Sequence, residues 1–209
     1  LNEGTIASSR GDRWAVEDFE QEFGERHVPH STALHALRRS TGDGYFLGPL
    51  ARVHLSFDRL SPAARRTADE IGFQLPCRNP FRSIIARGLE LIHVYEEALS
   101  ILRAYRPPTK VRIEGASCAG EGCAATEAPR GLLYHRYQVD AEGKIALAKI
   151  VPPTSQNQHQ MESDLAGWVS RVLGESDDAA ARSCERVLRC YDPCISCSTH
   201  FLRVRWERK

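Results

Sequence analysis

Asn79-Pro80-Phe81-Arg82-Ser83-Ile84-Ile85-Ala86-Arg87-Gly88-Leu89-Glu90-Leu91-Ile92-His93-Val94-Tyr95-Glu96-Glu97-Ala98-Leu99-Ser100-Ile101-Leu102 is the stretch on which the fold turns. Asn79 is a capping residue, and Pro80 follows where a first helical position tolerates the missing N–H. Ile85, Leu89, Ile92, Tyr95, Leu99 and Leu102 then recur at threes and fours. That spacing predicts one long core-facing helix ending before Pro107-Pro108. Upstream, Ser61-Pro62 is the same start signal and predicts a helix to about Ile71. Trp14, Val16, Phe19 and Phe23 read as a short amphipathic helix over Asp12–Phe23, and His30–Ser40 as another. Tyr45-Phe46-Leu47-Gly48-Pro49-Leu50 is apolar and punctuated by Gly and Pro, the pattern of buried irregular structure. Downstream, Asp140-Ala141-Glu142-Gly143 lies between Leu132–Val139 and Lys144–Val151 and predicts a β-hairpin. Helical spacing returns over Gln160–Leu173 and Asp177–Arg189. The expected fold class is mainly α with a small β-hairpin or sheet insertion, an α+β chain without internal repeats.

With 209 residues, 42% of them hydrophobic and 26% charged, the chain can bury a sizeable core. A net charge of +1 gives no footprint for nucleic acid and no reason to expect a polyacidic partner. No apolar run reaches the roughly 20 residues a membrane span needs, and no segment reads as a secretory signal. The sequence opens on Leu1 and contains one methionine, Met161, so the start of the gene product is expected upstream. Seven cysteines, an odd number clustered towards the end, do not resemble a disulfide framework. Metal-bound or free thiols in a reducing, cytoplasmic compartment are expected instead.

The chemistry concentrates in Asp192-Pro193-Cys194-Ile195-Ser196-Cys197-Ser198-Thr199-His200. Two thiols separated by two residues can turn towards one ion across a tight turn, and His200 repeats the spacing. Thiolates are soft donors that favour nickel, zinc, copper(I) or iron over magnesium or calcium, and a bound metal keeps them ionised. On spacing alone, structural zinc held by Cys190, Cys194, Cys197 and His200 stands level with all other metal sites, and an iron-sulfur cluster is a third reading.

Two upstream blocks shift that balance. Glu127-Ala128-Pro129-Arg130-Gly131-Leu132-Leu133-Tyr134-His135, then Val151-Pro152-Pro153-Thr154-Ser155-Gln156-Asn157-Gln158, then the D-P-C-x-x-C-x-x-H end closely resemble, in that order, the C-terminal half of nickel-iron hydrogenase large subunits. Tyr45-Phe46-Leu47-Gly48-Pro49-Leu50-Ala51-Arg52 looks like a further element of the family. The wording of the arginine block resembles the soluble cytoplasmic group linked to NAD(P) or sulfur, which includes the sulfhydrogenase alpha subunits.

The resemblance implies that residues 1–200 are the C-terminal half of the large-subunit domain, and that residues 201–209 are a cleavable precursor tail. It implies a nickel-iron centre with CO and cyanide on the iron, with Cys194 as terminal nickel ligand and Cys197 bridging nickel and iron. Arg130 is similar to the arginine over the open face of the metals, Pro129 beside it is implied to bind the cofactor too, and Asp192 is similar to the carboxylate that orients the arginine. His200 resembles the ligand of a nearby magnesium ion, joined by a backbone carbonyl near Asn157 or Gln158. The second C-x-x-C pair of the family is absent: Cys77, Cys118 and Cys123 form no such pair, so this chain alone is expected to hold no complete centre. Cys118, Cys123, Cys184 and Cys190 are unassigned, and His135 is as readily a packed histidine as a group beside the site. Implied partners are a small subunit carrying iron-sulfur clusters, diaphorase-type NAD(P) subunits and a maturation endopeptidase, with no nucleic acid, no membrane span and no iron-sulfur cluster in this chain. Two other readings compete: a zinc-stabilised binding module, and a relative of the quinone-site subunit of respiratory complex I, which lacks the nickel thiols that Cys194 and Cys197 supply.

Overall fold

The computed structural model describes residues 4–112, 115 and 118–194. Two short antiparallel pairs come early: β1 (Ile6–Ala7) with β2 (Arg13–Trp14), then β3 (Phe23–Arg26) with β4 (His35–Arg38), the latter in the register Arg26↔His35. One helical turn, α1 (Phe19–Glu22), lies between β2 and β3. The helices expected over Asp12–Phe23 and His30–Ser40 are therefore corrected to one turn and a strand. The aromatic spacing of the first segment reports packing, not helix. Phe19 stacks on Tyr134 at 4.2 Å, and Phe23 lies 5.1 Å from Phe19, 5.4 Å from Trp14 and 5.0 Å from Tyr45. The second segment pairs its backbone with β3, which satisfies its N–H and C=O groups without a helix.

After an irregular passage through Tyr45, Pro49 opens α2 (Pro49–Ser56), a helix that the sequence reading left as loop. α3 (Pro62–Glu70) has Ser61 as N-cap accepting from the Ala64 N–H, and α4 (Ser83–Ala104) follows a 3-10 turn at Pro80–Arg82 capped by Asn79. These three helices enclose Leu50, Val53, Ala64, Ala68, Ala86 and Leu89 as one core. α4 has the expected length, yet only its first half faces that core. Beyond Ile92 its apolar residues face outward, with Tyr95 and Leu102 each 70% exposed.

The expected hairpin gains a third strand: β5 (Gly120–Ala128), β6 (Gly131–Val139) and β7 (Ile145–Val151) form an antiparallel sheet in that order. Glycine and alanine make β5 a weak strand by propensity; pairing with β6 along its full length forms it. α5 (Pro153–Val172) begins directly after β7, some seven residues before the apolar spacing announces it, and packs on β4 and on α6 (Asp177–Arg189). Among the described residues, no helix is long and apolar enough to cross a membrane.

Candidate metal centre

Arg130 occupies the tip of a hairpin. Ala128 pairs with Gly131, so Pro129 and Arg130 alone connect β5 to β6. Gly131 makes that turn possible: its φ is +137°, and a Cβ there would lie 2.6 Å from the Leu47 Cβ. Gly48, at φ +112°, lets the neighbouring chain approach the Arg130 carbonyl, which would lie 3.1 Å from a Cβ. The turn is then clamped from below by Arg52 on α2. Its guanidinium donates to Glu127 Oε2 at 2.8 Å, to the Ala128 carbonyl at 2.8 Å and to the Pro129 carbonyl at 3.0 Å. The same group forks onto Glu90 of α4 through Nε at 2.6 Å and Nη2 at 2.8 Å. A planar five-donor guanidinium suits this task; a lysine could not span both carboxylates and two carbonyls. The tyrosine-to-arginine block of the sequence thus supports the Arg130 turn.

The first turns of α5 form a buried polar hub. Thr154, Ser155, Gln156 and Asn157 are all at most 4% exposed. Gln156 donates to the Leu132 carbonyl at 2.6 Å and the Val151 carbonyl at 3.1 Å, and accepts from the Tyr45 hydroxyl at 3.2 Å. Asn157 accepts from the Leu47 N–H at 2.7 Å. Thr154 Oγ1 accepts from the Cys194 N–H at 3.3 Å, which fixes the end of the described chain against this helix. Burial and the nearby Glu25 charge hold the Tyr45 hydroxyl far above its ordinary pKa, so it stays a neutral donor.

Asp192 links the two halves of the corner. It has a left-handed backbone, φ +47°, which turns its carbonyl towards Arg130; Nε of Arg130 donates to that carbonyl at 2.6 Å. The carboxylate lies 3.4 Å from the same Nε, while Arg87 on α4 donates to it at 2.6 Å. Asp192 therefore meets Arg130 as expected but chiefly through its main chain, and its carboxylate is held by a residue that sequence reading missed. No spacing signals Arg87, because it reaches Asp192 across 105 positions. Ser83 adds a hydrogen bond to the Cys190 carbonyl at 2.5 Å.

Asp192, Pro129, Arg130 and Cys194 are thus brought to one corner, and Cys194 is half-buried there. Cys197 and His200, together with the tail 201–209, lie outside the described residues. Asn157 and Gln158 lie in the second turn of α5. His135 sits in the middle of β6, its ring 5.8 Å from that of Tyr137. The thiol of Cys190 donates to the Arg186 carbonyl at 3.1 Å, and burial pushes it above its ordinary pKa. A soft sulfur donor on a tethered main chain, beside a fixed guanidinium, fits a thiolate-bound metal with anionic ligands.

The chain resembles known proteins along most of its length. It is 31% identical over 201 residues to the sulfhydrogenase 1 subunit alpha of Pyrococcus furiosus, covering 95% of this chain and 46% of that protein. With the NAD-reducing hydrogenase HoxS subunit beta of Cupriavidus necator it shares 29% identity over 171 residues, 75% of this chain and 34% of the relative. The crystal structure of an NAD+-reducing [NiFe]-hydrogenase in the H2-reduced state superposes with a TM-score of 0.77 at 24% identity, over 96% of this chain and 48% of the other. The chain thus spans less than half the length of these relatives. A family model, nickel-dependent hydrogenase, matches residues 45–200, from the Tyr45 block that braces the arginine turn to His200, and the chain belongs to that family.

Proposed function

We propose that this chain supplies one half of a hydrogenase metal site and takes part in the reversible heterolytic cleavage of H2 into protons and electrons. The observation that carries this reading is the junction at Asp192, where the main chain leading to Cys194 is hydrogen-bonded to the Arg130 turn. Cys194 and Cys197 would hold nickel, with Cys197 bridging to an iron carrying CO and cyanide, in company with two thiolates from a part of the protein outside these residues. When bound, such a metal pair supplies a Lewis acid for the hydride.

The residues of this chain have separable tasks. The Cys194 Sγ, as a thiolate, is the first acceptor of the proton. Arg130, whose Nε donates to the Asp192 carbonyl, would keep a fixed positive charge beside it and would donate from its guanidinium to anionic metal ligands. Asp192 and Arg87 hold that geometry, and Pro129 with Arg52 stiffens the turn. His200 would ligate a magnesium ion near Asn157 and Gln158.

Electrons would leave through the iron-sulfur clusters of a small subunit and pass to diaphorase-type NAD(P) subunits in the cytoplasm. The names of the sulfhydrogenase and NAD-reducing relatives support that direction. Residues 201–209 would be removed by a maturation endopeptidase, so mass spectrometry of active enzyme should find a chain ending at His200.

The test of function uses the complete complex. Cys194→Ser should abolish H2 turnover, and Arg130→Lys should lower it on the order of 100-fold, as loss of a preorganised electrostatic donor does, with nickel and iron still bound. Unchanged turnover in Cys194→Ser would defeat the reading.

A further inference from the structure

We propose that His30, His35 and Glu162 form a binding site for a single divalent d-block cation of the zinc class. The three residues come from separate parts of the fold: His30 from the turn after β3, His35 from the start of β4, and Glu162 from the third turn of α5. Each offers one ligand atom, and these atoms all lie within 4.8 Å of one another.

The distances suit a shared ion as well as the hydrogen-bonded His30–Glu162 pair they now form. Nε2 of His30 is 3.1 Å from both oxygens of Glu162, and Nε2 of His35 is 3.4 Å from Oε1. Zinc bound at about 2.1 Å to nitrogen and oxygen places neighbouring tetrahedral ligands roughly 3.4 Å apart. The two edges to Glu162 therefore need adjustments of only tenths of an ångström to fit an ion, and the third, between the two imidazoles, lies within 4.8 Å.

The second, independent observation is the state of His35. Its ring is fully buried at 0% exposure, yet neither Nδ1 nor Nε2 makes a hydrogen bond; the 3.4 Å approach to Glu162 lacks hydrogen-bond geometry. A neutral imidazole carries one donor and one acceptor, and burying both without a partner is costly enough to be rare. A cation beside Nε2 gives that lone pair its partner and leaves the Nδ1–H as the one unsatisfied group of the ring. An ordinary His30–Glu162 ion pair would leave both orphaned.

The donor set names the class of ion. Two imidazoles and one carboxylate suit zinc and its d-block neighbours, not the oxygen-seeking magnesium or calcium. Among the described residues the site is open to solvent, because the side chains of His30 and Glu162 are 63% and 36% exposed while that of His35 is buried. A fourth position facing solvent is left for water. His159 is excluded from the set: its ring lies 6.4 Å from that of His35, and its Nδ1 is 3.3 Å from Arg26. None of the three ligands belongs to the Asp192–His200 stretch, so the site stands whether or not the hydrogenase reading does. A bound ion would staple the β3–β4 connection to α5.

Equilibrium dialysis of the purified full-length complex against radioactive zinc, after removal of loosely held metal with a chelator, tests this. The wild type should show a zinc site that His30→Ala and Glu162→Gln each weaken beyond the roughly 10–100-fold that loss of an outer partner costs a metal site. His159→Ala should leave that site intact. His30 is exposed, so His30→Ala keeps the fold, which unchanged circular dichroism would verify. A wild type without a zinc site, or equal zinc binding in His30→Ala and Glu162→Gln, would overturn the proposal.

Discussion

Gly131 leaves no room for a side chain. With φ at +137° and Leu47 2.6 Å from a would-be Cβ, Gly131→Ala must both strain the backbone and push the Tyr45–Arg52 segment away from the hairpin. We expect a loss of roughly 2–4 kcal/mol in denaturant unfolding of the complex, and a displaced Arg130. Arg130, Cys194 and Asp192 were legible as residues because their neighbours in sequence form motifs. The side chains that position them were not. Arg87 and Arg52 reach partners 38 to 105 positions away, and an arginine on a helix carries no mark of the carboxylate it will meet. His35 was equally silent: a lone histidine in a predicted helix discloses neither its burial nor the approach of Glu162 from α5.

Among elements, long periodic helices were readable and short strands were not. α3, α4 and α6 follow their apolar spacing and caps, because a helix satisfies its backbone locally. β3, β4 and β5 depend on partners, so four-residue strands and a glycine-rich one carry little local signal. The start of α5 was missed because its first turns are polar and buried, a reversal of the usual pattern explained by the carbonyls and N–H groups they bind. The sheet is tied to α1 by Glu20, which accepts from Arg136 at 2.6 Å and from the Tyr134 hydroxyl at 3.0 Å, with Lys149 at 3.5 Å. Burial pushes the Glu20 carboxyl up, but these hydrogen bonds and charges outweigh it and leave the pKa below the ordinary 4.5. A depressed folded pKa stabilises above the unfolded value and ceases to do so as pH falls through the folded one. The difference in melting temperature between wild type and Glu20→Gln should therefore be full at neutral pH and shrink below about pH 4.5.

For the molecule as a whole, the outer half of α4 is the conspicuous surface. Leu91, Val94, Tyr95, Leu99, Ile101 and Leu102 are between 48% and 70% exposed along one helix. The periodicity that predicted a core-facing helix was sound as a pattern; within these residues the second half of that face meets solvent. A contiguous apolar surface of this kind marks an interaction site or an aggregation liability. Residues 1–209 produced alone should bind an apolar dye and self-associate, as light scattering would report, and Tyr95→Lys with Leu99→Lys should reduce both. A different kind of unity comes from α5. Its opening turns touch the segment before α2, the strand after the arginine turn and the backbone of Cys194, while Glu162 lies farther along the same rod. Sliding this helix by one residue, about 1.5 Å, would break all of these attachments at once. It acts as the jig of the assembly, setting the mutual alignment of the parts attached to it.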